Sequence, residues 1–212
     1  MNELVPKELT GGPLADLDAL TTNASAYLQR LQLFGSKSDA CAEEKISIGH
    51  WGLVNDDQIN DLGVSVDVVI LAYRAKALDT SGDTVINNHD ADSEIFHAIR
   101  DKSAVKDSGC MYGPEFLVYV PSTGVFATYF ASSKTARREA KKFKSLIGGG
   151  ATLKAKLIEN GKYKWHGPVV LPCSAPLEIP DLEIIKVQIE KFKNPPSDDV
   201  ELADKDSTGR ER

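Results

Sequence analysis

The sequence predicts an α+β domain that is mainly β, and three features carry that expectation. Val64 to Leu78 (VSVDVVILAYRAKAL) is dense in the β-branched residues that strands favour. Two tight-turn signals, Pro121-Ser122-Thr123-Gly124 and Asn160-Gly161, each join a pair of strand-like runs. Between them lies one amphipathic helix, Lys134 to Ile147, stopped by Gly148-Gly149-Gly150.

In chain order, residues 1–44 read as an N-terminal arm, with a short helical turn at Leu14 to Leu20. Within it Tyr27, Leu28, Leu31, Leu33 and Phe34 can anchor the arm on a core. The core itself is expected over residues 45–170. Ile46, Ile48, Trp51 and Leu53 suggest its first strand, and Asn55 to Gly63 a polar turn region. In the next strand, alternation sets Val66, Val68, Ile70 and Ala72 against Asp67, Val69, Leu71 and Tyr73. Residues 79–108 are a long polar excursion with a short helix at Ser93 to Asp101, of the length that marks a lid, a binding loop or a metal site. Gly109 to Glu115 (GCMYGPE) reads as a shaped loop around Tyr112 or a turn feeding a strand, before the hairpin Phe116 to Val120 and Val125 to Phe130.

In the helix that follows, Ser132 or Ser133 can cap the first turn, and Ala136, Ala140, Phe143 and Ile147 make one apolar stripe. Asn-Gly is the preferred pair for a type I′ hairpin turn, so Thr152 to His166 is expected to fold about Asn160-Gly161. Ile158 then faces Tyr163, and Lys156 faces Trp165. One face carries Lys154, Lys156, Ile158, Tyr163 and Trp165, and the other Leu153, Ala155, Leu157, Lys164 and His166. Residues 171–194 form an extension with an amphipathic helix at Asp181 to Phe192, whose apolar side is Leu182, Ile185, Ile189 and Phe192. Residues 195–212 (PSDDVELADKDSTGRER after Pro195) have the composition of a disordered acidic tail.

Composition narrows the class. No apolar run reaches the ~18–20 residues of a membrane span, and Met1 to Gly12 lacks the pattern of a secretory leader. Three widely spaced cysteines, Cys41, Cys110 and Cys173, argue against a disulfide framework. A cytoplasmic protein without a membrane partner is expected. The net charge of −6 conceals an asymmetry: from Lys134 to Trp165, ten basic residues stand against two acidic ones, a local +8. Basic residues early in a helix oppose its dipole, so they are not placed there for helix stability.

No GxSxG, P-loop or GxGxxG follows a strand, no pair of histidines or cysteines has metal-ligand spacing, and no cofactor motif is present. His89-Asp90-Ala91-Asp92 offers hard ligands in a loop, without further support. The chain therefore reads as a binding protein and not an enzyme. Single-stranded nucleic acid needs cations for phosphates and flat side chains for bases, and Arg137, Arg138, Lys141, Lys154, Lys156 and Lys164 supply the first. Trp165 and Tyr163, with Tyr73 and Tyr112 as further candidates, supply the second. The competing reading is a solvated basic face with Tyr163 and Trp165 packed in the core.

The order of elements, with a helix between the third and fourth of five strands, resembles the oligonucleotide-binding (OB) fold over residues 45–170. With its acidic tail the chain also resembles phage-type and bacterial single-stranded DNA-binding proteins, and stretches such as SGCMYGPEF and SSKTARREA resemble tailed-phage proteins. That resemblance implies a five-stranded barrel and sequence-tolerant binding of single-stranded DNA in replication or recombination. It also implies a homo-oligomer, a host-cytoplasm location and recruitment of replication or recombination proteins by the tail. The tail departs from the family pattern, ending in Gly209-Arg210-Glu211-Arg212 in place of an acidic run with a terminal aromatic. The alternative is a phage virion structural or assembly protein that binds no nucleic acid.

Overall fold

The computed structural model describes residues 28–56 and 58–194, so the expected tail and most of the arm lie outside the described residues. Strand β1 (Gln29–Leu33) and a single turn α1 (Asp39–Ala42) precede β2 (Trp51–Asn55) and β3 (Gln58–Gly63). The long β4 (Ser65–Asp79) leads to β5 (Ile86–Asn88), helix α2 (Glu94–Lys102) and the pair β6 (Cys110–Val120) and β7 (Val125–Phe130). Helix α3 (Lys134–Ser145), strands β8 (Gly150–Asn160) and β9 (Tyr163–Pro172) and helix α4 (Leu182–Lys193) complete the described chain.

All nine strands belong to one mixed sheet in the order β3-β2-β1-β7-β6-β4-β8-β9, with β5 paired to the end of β4. The β1–β7 pair is parallel and the others are antiparallel. This architecture corrects the five-stranded OB barrel. A barrel closes by pairing its first and last strands, whereas β3 and β9 are the two edges of an open path. The helix expected between strands three and four lies between the seventh and eighth.

Three strands escaped the count: the three-residue β5 inside the expected excursion, and β1 and β3, for physical reasons. In β1 (QRLQL) only Leu31 is fully buried, yet the strand is held between β2 and β7 by its backbone. At the edge, β3 (QINDLG) needs a partner on one side only, so Ile59 and Leu62 suffice as its apolar residues. Of the GCMYGPE segment, Cys110 to Glu115 form the first half of β6, and only Gly109, at positive φ, precedes the strand.

β4 changes partner midway. Ser65 to Val69 pairs with β8, and Val69 to Asp79 pairs with β6. The handover coincides with a register shift between Ile70 and Ala72, and bulges bend strands. The Ile70 backbone also bonds Gly148 and Gly149 at the end of α3. The sheet therefore divides into a β8–β9 wing and a larger body, with the core in between.

That core takes Trp51 and Leu53 from β2, Val68 and Ile70 from β4, Phe116 and Val118 from β6, and Leu153 and Val170 from the wing. Ala136, Ala140 and Phe143 of α3 complete it as the stripe predicts, while Ile147 lies beyond the helix end and is exposed. Phe143 packs 4.7 Å from Phe116 and 5.2 Å from Tyr129, ring centre to ring centre. A second cluster sets Ile189 and Phe192 of α4 against Ala72, Leu117 and Leu28, with Leu182 left exposed. In the 79–108 excursion, α2 docks Phe96 and Ile99 on Ala77 and Cys110. Asp90 there accepts a bond from the Asp92 N–H at 3.0 Å and Ser93 caps α2, so the HDAD stretch is the entry to a helix. No helix among the described residues is long and apolar enough to cross a membrane.

Candidate nucleic-acid interface

The β8–β9 hairpin outruns the rest of the sheet. β4 accompanies β8 only as far as the Ser65–Lys154 pair, with one further bond from the Ala155 N–H to the Val64 carbonyl. From Lys156 to Gly167 the two strands continue as a ribbon over five cross-strand pairs, which is roughly 14 Å at ~3.4 Å per residue.

The ribbon's register differs from the one expected. Asn160 pairs with Tyr163, so the turn is Gly161-Lys162, and Ile158 faces Trp165. Gly161 has φ +59° while Lys162 has no positive φ. That pattern suits a type II′ turn, which needs glycine only at its first central position, whereas a type I′ turn on Asn160-Gly161 needs positive φ at both. The correction is a slip of two residues, and side chains alternate with period two. Lys154, Lys156, Ile158, Tyr163 and Trp165 therefore still share one face. The rings are not core: Tyr163 is 65% exposed and Trp165 38%.

Helix α3 lies against the base of this ribbon. Its first turn is capped by the Ser133 hydroxyl, which accepts from the Ala136 N–H at 3.1 Å. Glu139 accepts from the outward-facing N–H of Val170 at 3.2 Å, so the helix shields part of the β9 edge. Burial alone would raise the Glu139 pKa, but Lys142 at 2.8 Å and the Val170 N–H outweigh it and hold the carboxyl below its ordinary value. Close approach is possible because β9 has glycine at 167: a Cβ there would lie 2.8 Å from Thr135 Cγ2 and 2.7 Å from Ile158 Cδ1. Between helix and ribbon runs a cleft walled by Thr135, Arg138, Glu139, Lys156, Glu159 and Val169.

The helix splits its basic residues by direction. Lys134, Arg138 and Lys141, spaced i, i+4 and i+7, form an exposed outer stripe. Arg137 turns the other way. Its guanidinium sits 4.3 Å from the Tyr112 ring centre and donates to the carbonyls of Tyr112, at 3.1 Å, and Ser132. Lys144 lies 4.1 Å from the Tyr73 ring centre.

Six of the ten expected site residues lie on the wing and its helix: Lys154, Lys156, Tyr163 and Trp165 share one face of β8–β9 from its base to its tip, Arg138 lines the cleft beside Lys156, and Lys141 is exposed on α3. Lys164 is on the ribbon's other face, 2.7 Å from Glu159. Arg137 and Tyr112 engage each other. Tyr73 lies eight residues along β4 from Ser65, away from the ribbon, at about 26 Å by ~3.3 Å per residue. Among the described residues Lys134, Arg138, Lys141, Lys154 and Lys156 make no salt bridge, whereas Lys142 and Lys164 do.

A second charged group, which sequence reading missed, lies inside the sheet. Glu115 of β6 is only 1% exposed and accepts from Arg74 at 2.8 Å and Lys76 at 2.5 Å, both on β4. Burial would raise its pKa, but the two cations outweigh that and hold it below the ordinary value. Arg74 also donates to the Phe192 carbonyl and stacks on that ring at 4.3 Å, which ties down the end of α4. The signal available in the sequence was three charges inside otherwise apolar strands. No group of three or more His, Cys, Asp or Glu side chains among the described residues is placed to hold a metal ion. Compared with protein families, with curated proteins and with solved structures, the chain finds no match.

Proposed function

We propose that this chain binds single-stranded DNA with little sequence preference, through the outer face of the β8–β9 ribbon and the adjoining stripe of α3. The observation that carries this is the joint exposure, on one face of a projecting ribbon, of Tyr163, Trp165, Lys154 and Lys156. A ring that serves the core is buried, and these two are not. A cation that serves the fold is paired, and among the described residues Lys154, Lys156 and Lys141 make no salt bridge, while Arg138 makes none either and acts on neighbouring Glu139 only through its charge. Stacking on such rings contributes about 1–3 kcal/mol per base and tolerates any base, since each has a π face. The cations supply the sequence-independent phosphate term. Replication or recombination is the setting in which such binding is expected.

Fluorescence anisotropy of a labelled oligo-dT, titrated at low and moderate salt, tests this. The expected result is tight binding that weakens steeply with salt and quenches tryptophan fluorescence. No binding at low salt removes the proposal, and concentration-dependent assembly of the protein alone then favours a virion structural or assembly role.

A further inference from the structure

We infer that the cleft between α3 and the base of the ribbon seats a single phosphate group of the bound strand, gripped jointly by Arg138 and Lys156. This rests on the single-strand proposal above and specifies what that site holds where helix and ribbon meet.

The cleft has a volume of about 410 Å3, room for a phosphate and its attached sugar. Four charged side chains line it, and their partners divide them sharply. Glu139 is committed to Lys142 and the Val170 N–H, and Glu159 to Lys164. Neither of those lysines lines the cleft. Arg138 and Lys156 make no hydrogen bond or salt bridge among the described residues. Glu159 is paired from outside the cleft, and Glu139 is held by Lys142 and the Val170 N–H with a smaller contribution from the charge of Arg138, so the two cations, neither in a salt bridge, still face an open space. A guanidinium presents a planar fork that matches phosphate oxygens two at a time, and an ammonium adds a compact point charge. Thr135 brings a hydroxyl that can donate, and Ile158 and Val169 give an apolar wall for the sugar.

The two cations come from different elements, one from a helix and one from a strand, and only the packing at Gly167 brings them to one cleft. A shared seat has a distinct signature. Each phosphate neutralised on a single strand contributes about −0.7 to the slope of log Kobs against log salt. Two cations on one phosphate contribute one such increment, and two cations on separate phosphates contribute two.

The test is oligo-dT anisotropy over a salt series with the full chain. Arg138→Ala and Lys156→Ala are each expected to weaken low-salt binding roughly five- to tenfold. The double variant is expected to flatten the slope by about 0.7, and adding Lys154→Ala, at a separate phosphate, by about 1.4 in all. A double variant that flattens the slope by about 1.4 by itself, or leaves it unchanged, overturns the shared seat while the single-strand proposal stands. Wild-type protein that fails to bind oligo-dT removes that proposal and this inference with it, before any variant is made.

Discussion

Gly167 of β9 and Thr135 of α3 meet so closely that a single methyl group would not fit between them: a Cβ on Gly167 would stand 2.8 Å from Thr135 Cγ2. The helix and the ribbon are set against each other by an absence of side chain. Gly167→Ala is therefore expected to lower stability by about 1–3 kcal/mol through overpacking. It should also weaken oligo-dT binding by prising Arg138 away from Lys156, with no change in charge. Thr135→Ser, which deletes the opposing methyl, should restore part of both losses. Thermal melts and anisotropy on the single and double variants measure this; a double variant no better than Gly167→Ala would show that the methyl does not press on the helix.

Tyr163 and Trp165 stand two residues apart on one strand and point the same way. Trp165→Ala and Tyr163→Ala should each cost about 1–3 kcal/mol of oligonucleotide affinity, a loss of roughly 5- to 150-fold. Tyr163 is 65% exposed, so Tyr163→Ala should change the melting temperature little, whereas Trp165→Ala, at a ring 38% exposed and paired with Ile158 across the ribbon, should lower it somewhat more. Normal binding by the double variant sinks the stacking role.

What the sequence disclosed depended on how local each signal was. The α3 stripe, the Ser133 cap and the Val120–Val125 turn are written within a dozen residues, and the structure has the cap, the turn and the stripe as far as Phe143, with Ile147 left outside the helix and exposed. The ribbon face was legible although its turn was not, because a slip of two residues preserves the side-chain alternation. Strand count was not legible. β1 is a strand because β2 and β7 flank it, and β4 looks like one uniform strand although it serves three partners, β8, β6 and β5. Those are tertiary facts with no local marker. Arg137 and Arg138 illustrate the same limit at the site, since adjacent helical residues point about 100° apart on a helix of 3.6 residues per turn. One is spent on Tyr112 and the other faces the cleft.

The Glu115 group makes a different prediction. Glu115→Gln keeps the shape but removes the charge that Arg74 and Lys76 share. Taking one partner from a buried ion pair leaves the others uncompensated, so a loss of about 2–4 kcal/mol is expected. Arg74 also holds the Phe192 carbonyl and ring, so amide hydrogen exchange in α4 should rise in the same variant. Denaturant unfolding and exchange together check this. A fall in global stability with α4 protection unchanged would separate the ion group from the helix anchor.

Acid should lower the stability of the fold in two steps, and the sign follows from two groups. His89 donates its Nδ1–H to the Ala75 carbonyl at 3.0 Å. Burial lowers its pKa below the ordinary 6.5, only partly offset by that bond, and nearby Arg74 lowers it further. The unfolded chain therefore binds this proton more readily than the folded one. The stability tied to neutral His89 is complete above about pH 6.5 and is lost as pH falls below it. Glu115 follows lower down: its pKa is held below the ordinary 4.5, so its contribution is present above that value and is lost as the carboxyl protonates beneath it. Asp61 and Glu139, also held low by their partners, add to this second stage. Denaturant midpoints measured from pH 8 to pH 4 should hold steady to about pH 7, decline through the histidine range, and fall more steeply below about pH 4.5. His89→Gln, which can still donate to the Ala75 carbonyl, should abolish the first decline and leave the second. A wild-type midpoint that stays flat between pH 7.5 and pH 5.5 would show that His89 protonates in the fold at no cost.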